Sequence, residues 1–340
     1  MGTYTPATSL AGDGSAPYLG GKFTTNDNVN GSTVWVENIA ASLGTLVTPA
    51  EVGFGGSSVR CPAAANPALA GTCTAYGQGG SRVTDPNGIG KDGGALTVPV
   101  VTQIANHLVR FGSFKSSDLI FVWAGNNDVL VQFGAFAAKA TQIQSDAAAG
   151  RISADQANNA LFVAQTEAQA AVKQAALELA GYVRDQILAK GGLYVAVATL
   201  PDIADTPFGK SVPASAQPVL RDLSRVFNLW LTDGLTGQPV RLIDTFALNK
   251  AIIADPAAAG FVNVTATACD PAKINTITGG KVTDGSSLFC SSTLGAPYNG
   301  LRAGAAATTW YFADGVHPTT GGHKAISDAF SHQLAAFGWL

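Results

Sequence analysis

The sequence predicts an α/β protein with a doubly wound parallel sheet. Asp118–Ala124 (DLIFVWA) is a short, nearly continuous apolar run, the pattern of a strand buried on both faces of a parallel sheet, and Leu193–Thr199 (LYVAVAT) and Val240–Asp244 read as further buried strands. Helical patterns separate and follow them, so strands and helices alternate along the chain. The 340 residues, 46% of them hydrophobic, suffice for one large core. With no linker and no repeat, residues 1–340 read as one domain.

Residues 1–30 are rich in Gly, Asn, Asp, Thr and Ser and read as loop. Val34–Leu43 is amphipathic and stops at Gly44, as a helix does. Thr45–Thr48 reads as a short strand and residues 52–95 as a long glycine-rich loop region. Val98–Phe111 is helical. The Asp118–Ala124 strand is bounded by Ser116-Ser117 and by Gly125-Asn-Asn-Asp. Residues 133–190 carry Ala, Gln, Glu and Lys at helical spacing, broken at Gly150–Ser153. There Ser153-Ala-Asp-Gln supplies a cap and a third-position Gln, giving a helical hairpin. Ala216–Leu235, Phe246–Ile253 and Thr320–Phe337 are helices, and residues 257–310 read as irregular.

Composition narrows the function. Charged residues are 13% of the chain, about half the usual share. Twenty Lys plus Arg and a net charge of -3 leave no basic face for nucleic acid. No apolar run of about 18 residues marks a membrane span. The cysteines are Cys61, Cys73, Cys269 and Cys290. An even count in a charge-poor, Thr/Gly/Ala-rich chain fits an exported protein with two disulfides. Of the three connectivities, local pairing (Cys61–Cys73, Cys269–Cys290) is preferred, because both pairs lie in loops with little else to hold them. The alternative is four free or buried thiols. A zinc site lacks the CxxC and the nearby histidine it needs.

Asp314-Gly-Val-His317 places a carboxylate three residues from an imidazole, in a turn before a helix. A carboxylate on one ring nitrogen fixes the tautomer that lets the other act as general base. The bland alternative is a helix start, with Pro318 in the first turn and Thr319 or Thr320 as cap. His323 reads as a packing or capping residue. Gly125-Asn126-Asn127-Asp128 follows a strand at the sheet edge where ligands bind. It offers an amide to an oxyanion or is a plain Asn/Asp turn. Gly79-Gly80-Ser81 offers a backbone N–H to the same oxyanion, or is an ordinary turn.

In this order, these blocks resemble those of the GDSL/SGNH hydrolases. Gly80 falls in that family's second block, Gly125-x-Asn127-Asp128 is its third, and Asp314-x-x-His317 its last. Gly21-Lys-Phe-Thr-Thr-Asn, Val34-Trp-Val-Glu-Asn, Leu200-Pro-Asp-Ile and His317-Pro-Thr resemble the flanks of its lipase- and phospholipase-like branch. The likeness runs from about residue 2 to the end. It implies a flavodoxin-like order, 2-1-3-4-5, and two-step hydrolysis of a small-molecule or lipid carboxylic ester. It implies His317 as base, Asp314 as its orienter, Gly80 N–H and Asn127 Nδ2 as oxyanion donors, and no metal or cofactor. Loops 52–95 and 257–310 would set substrate choice.

The family's first block, Gly-Asp-Ser-Leu, is absent. Ser15 in Gly12-Asp13-Gly14-Ser15 fails as the nucleophile, because no buried strand precedes it and a glycine separates Asp from Ser. In the family that block ends just before a Gly-Thr/Ser-Tyr, and here Gly2-Thr3-Tyr4 follows Met1. The family often has Val at that place, and a GTG valine codon read as a start is written Met. The chain is therefore expected to lack its signal peptide, first strand and nucleophile. A gap between the Thr45 and Leu119 strands would follow. The alternative is a ligand-binding protein or pseudoenzyme on the same fold.

Overall fold

The computed structural model describes residues 22–27, 32–280, 282–293 and 299–340. Ser15, Met1–Tyr4 and most of the expected 1–30 loop lie outside them. In chain order the helices and strands are α1 (Trp35–Ser42), β1 (Glu51–Phe54), β2 (Ser57–Arg60), α2 (Val100–Phe111), β3 (Leu119–Val122), α3 (Asn126–Ala148) and α4 (Ala154–Tyr182). There follow β4 (Tyr194–Ala198), α5 (Pro207–Ser211), α6 (Gln217–Gly234), β5 (Arg241–Ile243), α7 (Thr245–Ala254), β6 (Asn263–Thr267), α8 (Pro271–Ile277), β7 (Trp310–Phe312) and α9 (Thr320–Ala336).

The central sheet is parallel, in the order β3-β4-β5. Side chains of a strand alternate between faces, and β4 shows what each face buries. Val195 and Val197 join a core with Phe133 of α3, Val172 and Leu179 of α4, and Leu223 and Phe227 of α6. Ala196 and Ala198 join Trp35 and Ile39 of α1 and Ile326, Phe330 and Leu334 of α9. Helices thus cover both faces, as a doubly wound sheet requires. The alanines leave room for the Trp35 and Phe330 rings, whose centroids are 5.1 Å apart. A second, two-stranded parallel pair, β6 and β7, lies before α9.

The hairpin of α3 and α4 begins earlier than expected, at Asn126 rather than near 133, and α4 ends at Tyr182. Its turn is capped as the sequence suggests. Ser153 Oγ accepts from Gln156 N at 3.2 Å, and Gln156 Oε1 accepts from Ser153 N at 2.8 Å. The buried seam of α4 is mostly alanine, including Ala164, Ala168, Ala175, Ala176 and Ala180. No helix among the described residues is long and apolar enough to cross a membrane.

Four expectations need correction. Thr45–Thr48 is not a strand of the sheet. Thr48 N donates to Thr72 O (2.8 Å) and Ala75 N to Thr48 O (3.0 Å), so the segment pairs with the Cys61–Cys73 loop instead. Hence no strand at Thr45 flanks a gap. Second, β3 and β5 are not buried on both faces: three of the four residues of β3 are half-buried, and Arg241 and Leu242 of β5 are exposed, because these strands are the edges of the sheet among the described residues. Third, the 52–95 region opens with the antiparallel hairpin β1–β2, turned at Gly55-Gly56. Fourth, the 257–310 region contains β6 and α8 and the start of β7. The cysteines pair locally, Cys61–Cys73 and Cys269–Cys290.

His323 joins α9 to α1. It is fully buried; its Nδ1 accepts from Trp35 N (3.4 Å) and its Nε2 donates to Phe23 O (3.4 Å). Burial, above all, pushes its pKa down to about 3. The unfolded chain, near 6.5, takes up the proton first. Stability from this group is therefore complete above pH ~6.5 and declines as pH falls toward 3. We predict a loss of about 3 kcal/mol between pH 6.5 and 4 from urea unfolding. The His323→Gln variant should be less stable at neutral pH but show a flatter dependence over that range.

Candidate active site

β3 points into a turn that only glycine can make. Gly125 has φ +114°, and a Cβ there would stand 2.2 Å from Phe227 Cζ. The turn starts α3 immediately, so Asn127 and Asp128 lie in its first turn. Asn127 Nδ2 donates to Ser81 O at 2.7 Å. Asp128, 2% exposed, accepts from Arg82 Nε (3.1 Å) and Val83 N (3.0 Å). Burial raises its pKa, partly offset by the Val83 amide and the Arg82 charge. Three bonds thus fasten residues 81–83 to the start of α3.

Gly80 immediately precedes that clamp. Its φ is +73°, and a Cβ would lie 1.9 Å from Ile89 O. Its carbonyl accepts from Ile89 N at 2.9 Å, while its N–H has no acceptor among the described residues. An amide nitrogen carries two protons, so Asn127 Nδ2 retains one after serving Ser81. Gly80 and Asn127 therefore present neighbouring donors at a helix N-terminus, where the macrodipole also favours negative charge.

The second pair lies beyond β7. Ala313 N donates to His317 O at 2.8 Å and closes the Asp-Gly-Val-His turn. Asp314, 6% exposed, accepts on Oδ1 from Val316 N (3.0 Å) and His317 N (2.8 Å) and on Oδ2 from Ser287 N (2.9 Å). His317 Nδ1 is 2.9 Å from both carboxylate oxygens. Burial alone would raise the Asp314 pKa; the His317 ring and the bonds from Ser287 and Val316 outweigh it and hold the carboxyl well below its usual range. His317 stacks on Phe23 at 4.4 Å, and its Nε2 makes no hydrogen bond among the described residues. Thr319 caps α9, accepting from Gly322 N at 3.0 Å.

No hydrogen bond joins the two pairs directly among the described residues; α5 links them by packing. Phe208 N donates to Gly315 O at 2.8 Å, and the Phe208 ring meets Phe133 of α3 edge-on at 6.4 Å. α5 is anchored by an ion cluster after β4. The fully buried Asp202 accepts from Arg221 Nε (2.6 Å) and Lys250 Nζ (2.9 Å), and Asp205 pairs with Arg221, Lys210 and Lys250. Sequence reasoning missed Phe23, Arg82, Phe208 and Ser287. Only Arg82 carried a signal, being two residues from Gly80.

A family model described as GDSL-like Lipase/Acylhydrolase matches residues 18–330, and the chain belongs to that family. No curated protein matches it.

Because Gly125 combines a left-handed backbone with contact against Phe227, Gly125→Ala should destabilise the protein by about 3 kcal/mol. Chemical denaturation measures the loss.

Proposed function

We propose that the protein hydrolyses carboxylic esters through an acyl-enzyme on a serine. The carrying observation is His317, whose Nδ1 is held by a buried carboxylate while Nε2 makes no hydrogen bond among the described residues. Asp314 keeps the proton on Nδ1, so Nε2 is the basic nitrogen. In this reading Nε2 takes the serine proton as Oγ attacks the ester carbonyl. Asn127 Nδ2 and Gly80 N–H stabilise the oxyanion. His317 then protonates the departing alkoxide, and a water, activated by the same nitrogen, releases the acid.

The serine in this proposal sits on a strand laid against the outer edge of β3, from a segment preceding residue 1. Unpaired groups beside β3 support it. Among the described residues Trp35 Nε1 and Trp123 Nε1 are buried donors without acceptors, and Asn126 Oδ1 is a buried acceptor without a donor; Trp35 packs on Phe121 of β3 and on Trp123 just after it. Buried polar groups are normally satisfied. The two disulfides support export to an oxidising compartment. A non-catalytic ligand-binding role is the second reading, favoured by Phe23, which stacks on one face of the His317 ring.

Expression from the upstream coding sequence, assayed on a p-nitrophenyl ester, separates the readings. The extended protein should turn over, with residues 1–340 alone slower by about three orders of magnitude or more. In the extended protein, His317→Ala should lower kcat by about 10³-fold or more, and Asn127→Ala by about 10²–10³-fold. Ligand binding without hydrolysis in either form would establish the non-catalytic role.

A further inference from the structure

We infer that the main-chain amide of Ser287 is a positioning group for Asp314, held in place by the Cys269–Cys290 disulfide. The inference rests on the acyl-transfer reading for its kinetic consequence and on geometry for the rest.

Two of the amides on Asp314 come from Val316 and His317, within its own turn. They shape the turn but move with it. Ser287 N reaches Oδ2 across 27 residues and fixes the carboxylate to the body of the protein. Ser287 is fully buried at the start of the single turn Ser287–Phe289, and Cys290 N donates to Ser287 O at 3.0 Å. Cys290 is bonded to Cys269, and Cys269 N donates to Ala313 O at 2.9 Å, one residue before Asp314.

These links close a ring. From Asp314 the chain steps back to Ala313, crosses a hydrogen bond to Cys269 and passes through the disulfide to Cys290. It returns through the 287–290 turn to the carboxylate. Both sulfurs lie in an apolar cluster with Ala268, Ile274, Leu301 and Ala313. Asn26 fastens the same turn from outside, donating from Nδ2 to Ser287 O (3.1 Å) and from N to Cys290 O (2.8 Å). The other disulfide, Cys61–Cys73, instead closes the loop that pairs with Thr48.

Proline at 287 tests the amide itself. It removes the N–H at the first position of a turn, where proline is tolerated, and the Ser286 backbone (φ -48°, ψ 125°) suits a following proline. In the upstream-extended protein, Ser287→Pro and the double variant Cys269→Ala/Cys290→Ala should each lower kcat about tenfold or more, with KM little changed, because orientation rather than binding is lost. In each, the low-field NMR resonance of the His317 Nδ1 proton should shift or broaden. Ser287→Ala, which keeps the amide, should leave the resonance and kcat far nearer the parent than Ser287→Pro does. Cys61→Ala/Cys73→Ala should lose stability but keep kcat. Parent kcat and resonance in folded Ser287→Pro would overturn the inference. If the parent turns over no ester, the acyl-transfer reading fails, while the resonance still decides the positioning.

Discussion

A carboxylate removed from water must be matched by donors or neutralised. The burial of Asp314 imposes that condition on much of the C-terminal third. β7 delivers it, the turn to His317 bends back to supply two amides, and the 287–290 turn crosses over with a third. α9 starts directly beyond the same turn, with Thr319 capping it by accepting from Gly322 N. The resulting imidazole has one nitrogen committed and, among the described residues, one without a hydrogen bond.

The same economy appears at Asp128. Among the described residues the buried carboxylates are Asp128, Asp202 and Asp314, and each joins segments distant in sequence. Asp128 joins α3 to the Gly80 segment, and Asp202 joins the loop after β4 to α6 and α7. Breaking one partner of such a pair leaves an uncompensated charge, so these groups hold local geometry more than they add net stability.

Strands β3, β4 and β5, their helices and the hairpin cap were legible because their signals are local: apolar runs, helical spacing and a capping box. The Asn127 and His317 motifs were legible because their chemistry lies within four residues. Thr45–Thr48 misled because its residues suit a strand, whereas its partner is chosen by a loop closed through Cys61 and Cys73. The β1–β2 hairpin was readable in the Gly55-Gly56 turn between two strand-like runs. Phe23 on His317 and Ser287 on Asp314 were not, since contacts across 294 and 27 residues follow no spacing rule.

The alanine seam of α4 bears on how the chain finds its sheet. β3 and β4 pair in parallel across a connection containing both α3 and α4. Closing so long a loop from a disordered state is slow. Alanine has the highest helix propensity and loses almost no side-chain entropy on packing. The hairpin can therefore form from nearby contacts alone and shorten the effective span between the two strands. Circular dichroism of the isolated 126–182 segment tests this: a disordered spectrum would remove the kinetic role. On this account the crossover acts as a folding template, turning a long search for strand register into the docking of a preformed unit.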